Sequence, residues 1–218
     1  MSARETILAR VRAALADVPD SEKPDDVAIP RDYRRSSELA GAQVLDLFAE
    51  TVADYGATVH RSRPGDLTVT LAEICRRRRV HTLVAPPGFP EQVVTGAGAV
   101  LMRDGPPMSA ASLDRADGVV TTAALGIAET GTIALVTGPG MGRRALSLVP
   151  DVHVCLIRDD QVVATVPEAM DVLSDSATEP ITLISGGSAT SDIELVRVEG
   201  VHGPRVLHVI IIESGPDT

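Results

Sequence analysis

A chain of 218 residues in which 44% of positions are apolar is long enough to bury one sizeable core, which argues against a disordered protein. Its formal charge of −10 and pI near 4.9 repel a phosphate backbone, and its four aromatic residues, with no tryptophan, offer little to stack on bases or a flavin ring. Nucleic acid is therefore set aside as a partner, and the core must be aliphatic, which suits α/β layers.

The opening segment "MSARETILARVRAALADV" places Ile7, Leu8, Val11, Leu15 and Val18 on one helical stripe. Arg4, Glu5, Arg10 and Arg12 interrupt any signal-peptide core, so no export signal is read. "PDSEKPDDVAIPRDYRRSS" sustains neither helical nor strand periodicity and reads as a linker. Residues 1–36 are thus expected to form an N-terminal helix and linker, and residues 37–218 a single α/β domain. Within that domain a helix is expected from Ser37 to Tyr55, closed by Gly56, followed by a strand at "ATVH".

Helix-like and strand-like segments then alternate: "LTVTLAEICRRR", "VHTLVAP", "SAASLDRAD", "GVVTTAAL", "ETGTIALVT", "RRALSLV", "VHVCLIR", "VPEAMDVL" and "ITLIS". The alternation predicts a mainly parallel sheet sandwiched by helices. Arg76 to Arg79 fall where cations favourably face a helix C-terminus. The end, "DIELVRVEGVHGPRVLHVIIIES", reads as two strands joined by a turn, a C-terminal antiparallel strand pair at a sheet edge. "VLHVIII" is too short to cross a bilayer as a helix, so the protein is expected to be soluble and cytoplasmic. Cys75 and Cys155 form no C-x-x-C pair and read as reduced core residues, and two thiols cannot anchor an all-cysteine iron–sulfur cluster.

Four stretches carry candidate chemistry. In "GIAETGTIAL", a flat strand would put Glu129 on the same face as Ile127, Ile133 and Leu135. Burying a lone carboxylate there costs on the order of several kcal/mol. A turn or bulge at Gly131 relieves the conflict by swinging Glu129 toward a crevice, with Thr130, Gly131 and Thr132 beside it. Glu129 then either serves a site or caps the turn and pairs with an arginine.

In "ISGGSATSDIE", a strand runs into Ser185, Gly186, Gly187, Ser188 and Thr190, a small-residue loop whose backbone N–H groups can surround an anion outside the carboxyl end of a strand. An ordinary Gly-Gly turn explains the same spacing. Asp192 and Glu194 follow with strand parity. In "GVHGP", His202 projects from a tight loop and has the chemistry to exchange protons near neutral pH. In "VTGPGMGRR", the glycines fit neither the dinucleotide fingerprint nor the lysine-bearing phosphate loop, but Arg143 and Arg144 can hold a carboxylate or phosphate. Five histidines show no metal-ligand spacing, and no metal is expected.

Together, "GIAETGTIALVTGPGMGRRALSLVPDVHVCLI" and "ISGGSATSDIELVRVEGVHGPRVLHVIIIE" resemble the LUD-domain family in content and order, and "RETILARVRAAL" is similar to that family's first helix. The resemblance is diffuse over residues 20 to 100. It implies a fold like that of the sugar-phosphate isomerase and CoA-transferase superfamily, and a role in oxidising L-lactate to pyruvate beside iron–sulfur partner subunits. The residues show no cluster ligands, flavin-stacking aromatics or dinucleotide fingerprint, so this chain is expected to hold no cofactor of its own.

Under that reading Glu129, Ser188, Asp192 and His202 line one crevice for a small carboxylate or shape a partner surface. Two other readings stay open. One is a CoA-transferase-like enzyme with Glu129 as nucleophile, and the other is a non-catalytic ligand-binding or regulatory module. The linker also leaves open a homo-oligomer in which the first helix is exchanged between copies.

Overall fold

The computed structural model describes residues 2–19, 21–23, 26, 29–191, 197–199 and 203–214. The chain divides into two compact units, Met1–Tyr33 and Arg34–Thr218. In the first, α1 (Ala3–Ala14) opens with a capping box in which Ser2 Oγ accepts the Glu5 N–H and the Glu5 carboxylate accepts the Ser2 N–H at 2.6 Å.

The second unit is built on six parallel strands: β1 (Thr58–Ser62), β2 (Thr82–Ala85), β3 (Val100–Arg103), β4 (Gly118–Thr122), β7 (Val152–Arg158) and β12 (Val206–Ile212). Their order across the sheet is β1-β12-β7-β4-β2-β3. A parallel sheet is covered on both faces, and the interior strands are accordingly continuous apolar runs. Along β7, Val154 and Leu156 pack on one side against Leu71, Ile74 and Cys75 of α3 (Leu67–Arg78) and Val93 and Val94 of α4 (Glu91–Gly96). Cys155 and Ile157 alternate to the other side, against Val44, Phe48 and Val52 of α2 (Ala42–Asp54). Helix α3 ends with Arg76, Arg77 and Arg78 in its last turn, where the carbonyl end of the helix favours positive charge.

A second sheet lies on the α2 side. It comprises β5 (Leu125–Ile127), β6 (Thr132–Val136), β8 (Val162–Val163) and β9 (Ile181–Ile184) in the order β8-β5-β6-β9. Strands β5 and β6 form a hairpin in which Ile127 stands opposite Thr132. The outer face of this sheet carries α6 (Val166–Leu173), whose Ala169 and Leu173 pack on Leu125, Ile127 and Ala134. The short α5 (Ala110–Asp114) leads into β4, and Leu113 packs with Val84 and Val119.

A C-terminal antiparallel strand pair is present, but it is formed by β10 (Ala189–Ser191) and β11 (Arg197–Glu199) rather than by the two strands flanking the Gly203–Pro204 turn. "VLHVIII" is not part of it. That run forms β12 in the interior of the main sheet, parallel to both β1 and β7, because an uninterrupted apolar strand is stable only where both faces are covered. Helix α2 begins at Ala42 rather than Ser37, since Leu39 is exposed and the buried stripe starts at Val44. "RRALSLV" makes only a 3₁₀ turn at Arg144–Ser147.

Candidate functional site

The conflict over Glu129 is resolved by a four-residue hairpin loop. Gly131, at φ +57°, reverses the chain, and a Cβ placed on it would lie 2.7 Å from the carbonyl of Thr51 on α2. Thr51 Oγ1 donates to the Ala128 carbonyl at 2.6 Å, fastening the loop to α2. Glu129 thereby leaves the core: its N–H donates to the Ala164 carbonyl, and its part-exposed carboxylate forms an ion pair with Arg34.

From this loop a ladder of hydroxyls crosses to the next candidate stretch. Thr130 Oγ1 and Thr132 Oγ1 are 2.7 Å apart, and Thr132 Oγ1 lies 2.8 Å from Ser185 Oγ. Gly186 then turns at φ +76°, where an added Cβ would collide with the Tyr55 carbonyl oxygen, so a side chain is blocked. The Ser188 N–H donates to the Pro204 carbonyl at 2.8 Å, which closes the serine loop over the entry to β12.

This loop borders an open pocket with a volume of about 210 Å³, lined by Arg144, Ser147, His153 and the Ser185–Ser188 loop, with Gly203, Pro204 and Leu207 opposite. Its walls are mostly polar. It sits beyond the carboxyl end of β9 but at the amino ends of β7 and β12, the opposite edge of the main sheet from the one that commonly takes ligands. A larger cleft of about 650 Å³ does occupy the carboxyl edge, beside Arg61, Asp159 and Glu213. There Arg61 bonds Asp46 and Glu213 and Asp159 accepts from Ser214, while the guanidinium of Arg63 has no acceptor among the described residues.

Arg144 Nη1 donates to Ser147 Oγ at 2.9 Å, and its remaining guanidinium N–H groups have no acceptor among the described residues. Beneath it His153 is 1% exposed, and Nε2 is 2.8 Å from Thr121 Oγ1 on the neighbouring strand. Burial pushes this imidazole down to about 4, so it is neutral at physiological pH.

The structure therefore brings together Arg144, Ser185, Gly186, Gly187 and Ser188 around one cavity, and reaches Thr132, Thr130 and Gly131 through the hydroxyl ladder. Glu129 stands behind that ladder and does not line the cavity. Arg143 points elsewhere. Its Nε and Nη2 grip the buried Asp104 at 2.8 and 2.9 Å, and Nη2 also reaches the Met108 carbonyl. Burial alone would raise the Asp104 carboxyl, but hydrogen bonds from Arg143 and the Met108 N–H hold it below its ordinary value.

Thr190 is placed as backbone within β10, and Asp192 and His202 lie outside the described residues. Sequence reasoning passed over His153, Ser147 and Thr121. The available signal was a polar residue inside "VHVCLI", an otherwise apolar run that is buried on both faces. Among the described residues no three histidine, cysteine or carboxylate side chains gather as a metal site, and no helix is long and apolar enough to cross a membrane.

A family model for the LUD domain matches residues 110–212, the span that holds the hairpin loop, the serine loop and the cavity. A protein of Deinococcus radiodurans named lactate utilization protein C is 44% identical over 203 residues, which cover 92% of this chain and 91% of that one. The chain belongs to the LUD-domain family. A lactate utilization protein C of Bacillus subtilis shares 29% identity over 101 residues, 44% of this chain and 42% of its own length. Among solved structures, the crystal structure of a DUF162 family protein from D. radiodurans superposes with a TM-score of 0.67 at 38% identity. It covers 80% of this chain and 99% of its own. The LUD-domain assignment and the two-sided parallel sheet thus agree.

Proposed function

We propose that this chain is a subunit of a cytoplasmic L-lactate utilisation system that acts with iron–sulfur partner proteins as lactate is oxidised to pyruvate, and that its polar cavity holds a small carboxylate. The observation that carries the reading is Arg144, whose guanidinium reaches a cavity of carboxylate size with donors left over. The relatives named for lactate utilisation supply the substrate class. Both cysteines are buried and unpaired, and we assign the redox clusters to the partners. A role for Glu129 as a nucleophile draws less support, because Arg34 engages its carboxylate and the residue stands outside the cavity wall.

Calorimetric titration of the purified chain with L-lactate and pyruvate, and of an Arg144→Gln variant, tests the site. Saturable binding by the wild type and its loss in the variant are expected. Heats indistinguishable from dilution for both acids would refute the ligand assignment. Affinity capture of the tagged chain should carry brown, cluster-bearing proteins with it, and colourless eluates under lactate growth would refute the subunit assignment.

A further inference from the structure

On the α3 face of the main sheet, His60 of β1 and His208 of β12 lie diagonally across the strand pair, with Thr58 opposite His208 and Ile210 opposite His60. His208 is 4% exposed and His60 is half-buried. Arg78, the last residue of α3, donates its Nε–H to His208 Nε2 at 3.2 Å, and His208 Nδ1 lies 3.0 Å from His60 Nε2. A guanidinium has no lone pair with which to accept, so this contact fixes the direction of every bond behind it. His208 Nε2 is the acceptor, the one hydrogen of that ring is on Nδ1, and it goes to His60 Nε2. His60 in turn carries its hydrogen on Nδ1. Each neutral ring has a single lone pair, and both are in use.

One more proton therefore breaks a bond. Burial and then Arg77 hold His60 below its ordinary value while Glu73 opposes them, and burial, then His60 and Arg78, hold His208 down to about 4. The charged groups facing the pair are thus Glu73, Arg77 and Arg78 of α3. Beside it β7 presents Val154 and β12 presents Val206 and Ile210, none of which titrates, and burial pushes the nearby Cys75 thiol up, so it stays neutral. The arrangement that takes the proton at least cost moves the shared hydrogen from His208 Nδ1 to His60 Nε2 and binds the incoming proton at His208 Nε2. The positive charge then rests on His60, the better solvated ring, and the bond that is lost is the one from Arg78, an exposed residue whose place water can fill. If His60 swung away instead, the buried His208 Nδ1–H would be left without a partner.

The bond from Arg78 is also what holds its own segment. Leu71, Ile74 and Cys75 anchor the earlier turns of α3 in the core, whereas Arg76 to Arg79 are all exposed. The ion pairs of Arg76 and Arg77 run to Glu73 within the same helix. We propose that Arg78, His208 and His60 form an acid-released latch: a single proton taken up by the two rings detaches Arg78 and frees the last turn of α3, while the sheet and the earlier turns of the helix keep their fold.

Two measurements on the full chain test this. Long-range ¹H–¹⁵N correlation on histidine-labelled protein should show both rings as Nδ1–H at pH 7.5. At pH 4.5 it should show His60 doubly protonated and His208 as Nε2–H. Amide hydrogen exchange, corrected for its intrinsic pH dependence, should show the protection of residues 76–80 falling roughly 10-fold or more between those two conditions, the size of one lost hydrogen bond to a charged group. Leu83 to Ala85 on β2 should keep theirs. Arg78→Met, which retains the aliphatic stem at an exposed position, should lower the protection of this turn at pH 7.5 already and remove its pH dependence.

An Nε2–H tautomer of His208 at pH 7.5 overturns the inference, because Arg78 would then face a hydrogen. Equal protection of residues 76–80 at the two pH values overturns it as well, as does a loss shared equally by Leu83 to Ala85. A pH dependence that persists undiminished in Arg78→Met would show that the turn is released by some other group.

Discussion

His208 and His60 show what single side chains contribute on the opposite face of the main sheet. His208 Nδ1 lies 3.0 Å from His60 Nε2, and Arg78 Nε–H donates to His208 Nε2 at 3.2 Å. Burial, then the neighbouring His60 and Arg78, hold His208 at about 4, and burial does the same for His153. A histidine with a folded pKa below its unfolded value of 6.5 binds fewer protons when folded than when unfolded. The stability it contributes is therefore intact above 6.5 and is lost as pH falls toward 4. We expect the unfolding free energy from urea denaturation, and with it the midpoint, to drop between pH 7 and pH 5, by on the order of 2 kcal/mol after discounting His208 for the solvent that reaches its ring. A midpoint constant over that range contradicts the buried neutral rings, and carboxylates cannot mimic the effect because they titrate lower. Gly131→Ala should cost about 2 kcal/mol or more, since it combines positive φ with a Cβ in contact with the Thr51 backbone. Equal thermal stability of the two proteins would disprove the clash. At this scale the sequence was partly legible: the conflict at Glu129 could be read from strand parity and its relief from Gly131. His153 could not be placed, because nothing in a strand's spacing says which end of it borders a cavity.

Elements are held by a few polar fastenings whose loss can be measured. The Asp104 to Arg143 pair ties the segment after β3 to the turn that precedes the 3₁₀ helix, and the Asp104 side chain is 4% exposed. Asp104→Ala removes the acceptor for two guanidinium nitrogens and for the Met108 N–H, and should cost about 3 kcal/mol in equilibrium denaturation. A loss under half a kcal/mol would mean that solvent replaces the carboxylate. Helix α6 starts on a capping box from Thr165 to Glu168, so Thr165→Ala should cost about 1 kcal/mol. The check is whether Thr165→Ser retains most of that stability. Elements with a long apolar period were legible in full: "LTVTLAEICRRR", "VPEAMDVL" and "VHVCLIR" coincide with α3, α6 and β7. The second sheet was not. Its strands are two to five residues long, too short for a period to register, and their pairing is decided by the hairpin at Gly131 rather than by local composition.

Among the described residues, every buried aliphatic side chain belongs to the second unit, and that set begins at Val44. Residues 34–218 expressed alone should therefore keep the unfolding free energy of the full chain to within about 0.5 kcal/mol, the usual size of a surface change. A truncated protein that is molten by near-ultraviolet circular dichroism would refute this. The alternation of helices and strands made the layered α/β class legible, but the strand order was hidden, because β1 finds its sheet neighbour β12 only after about 150 residues have intervened. That order has a consequence for biosynthesis. The six-membered layer is wedged apart at its second position until the closing strand slides between β1 and β7, so a nascent polypeptide exposes two aliphatic strand edges until translation has passed Ile212. Ribosome-bound chains halted before Val206 should accordingly recruit holdase chaperones, and those released after Ile212 should let go of them.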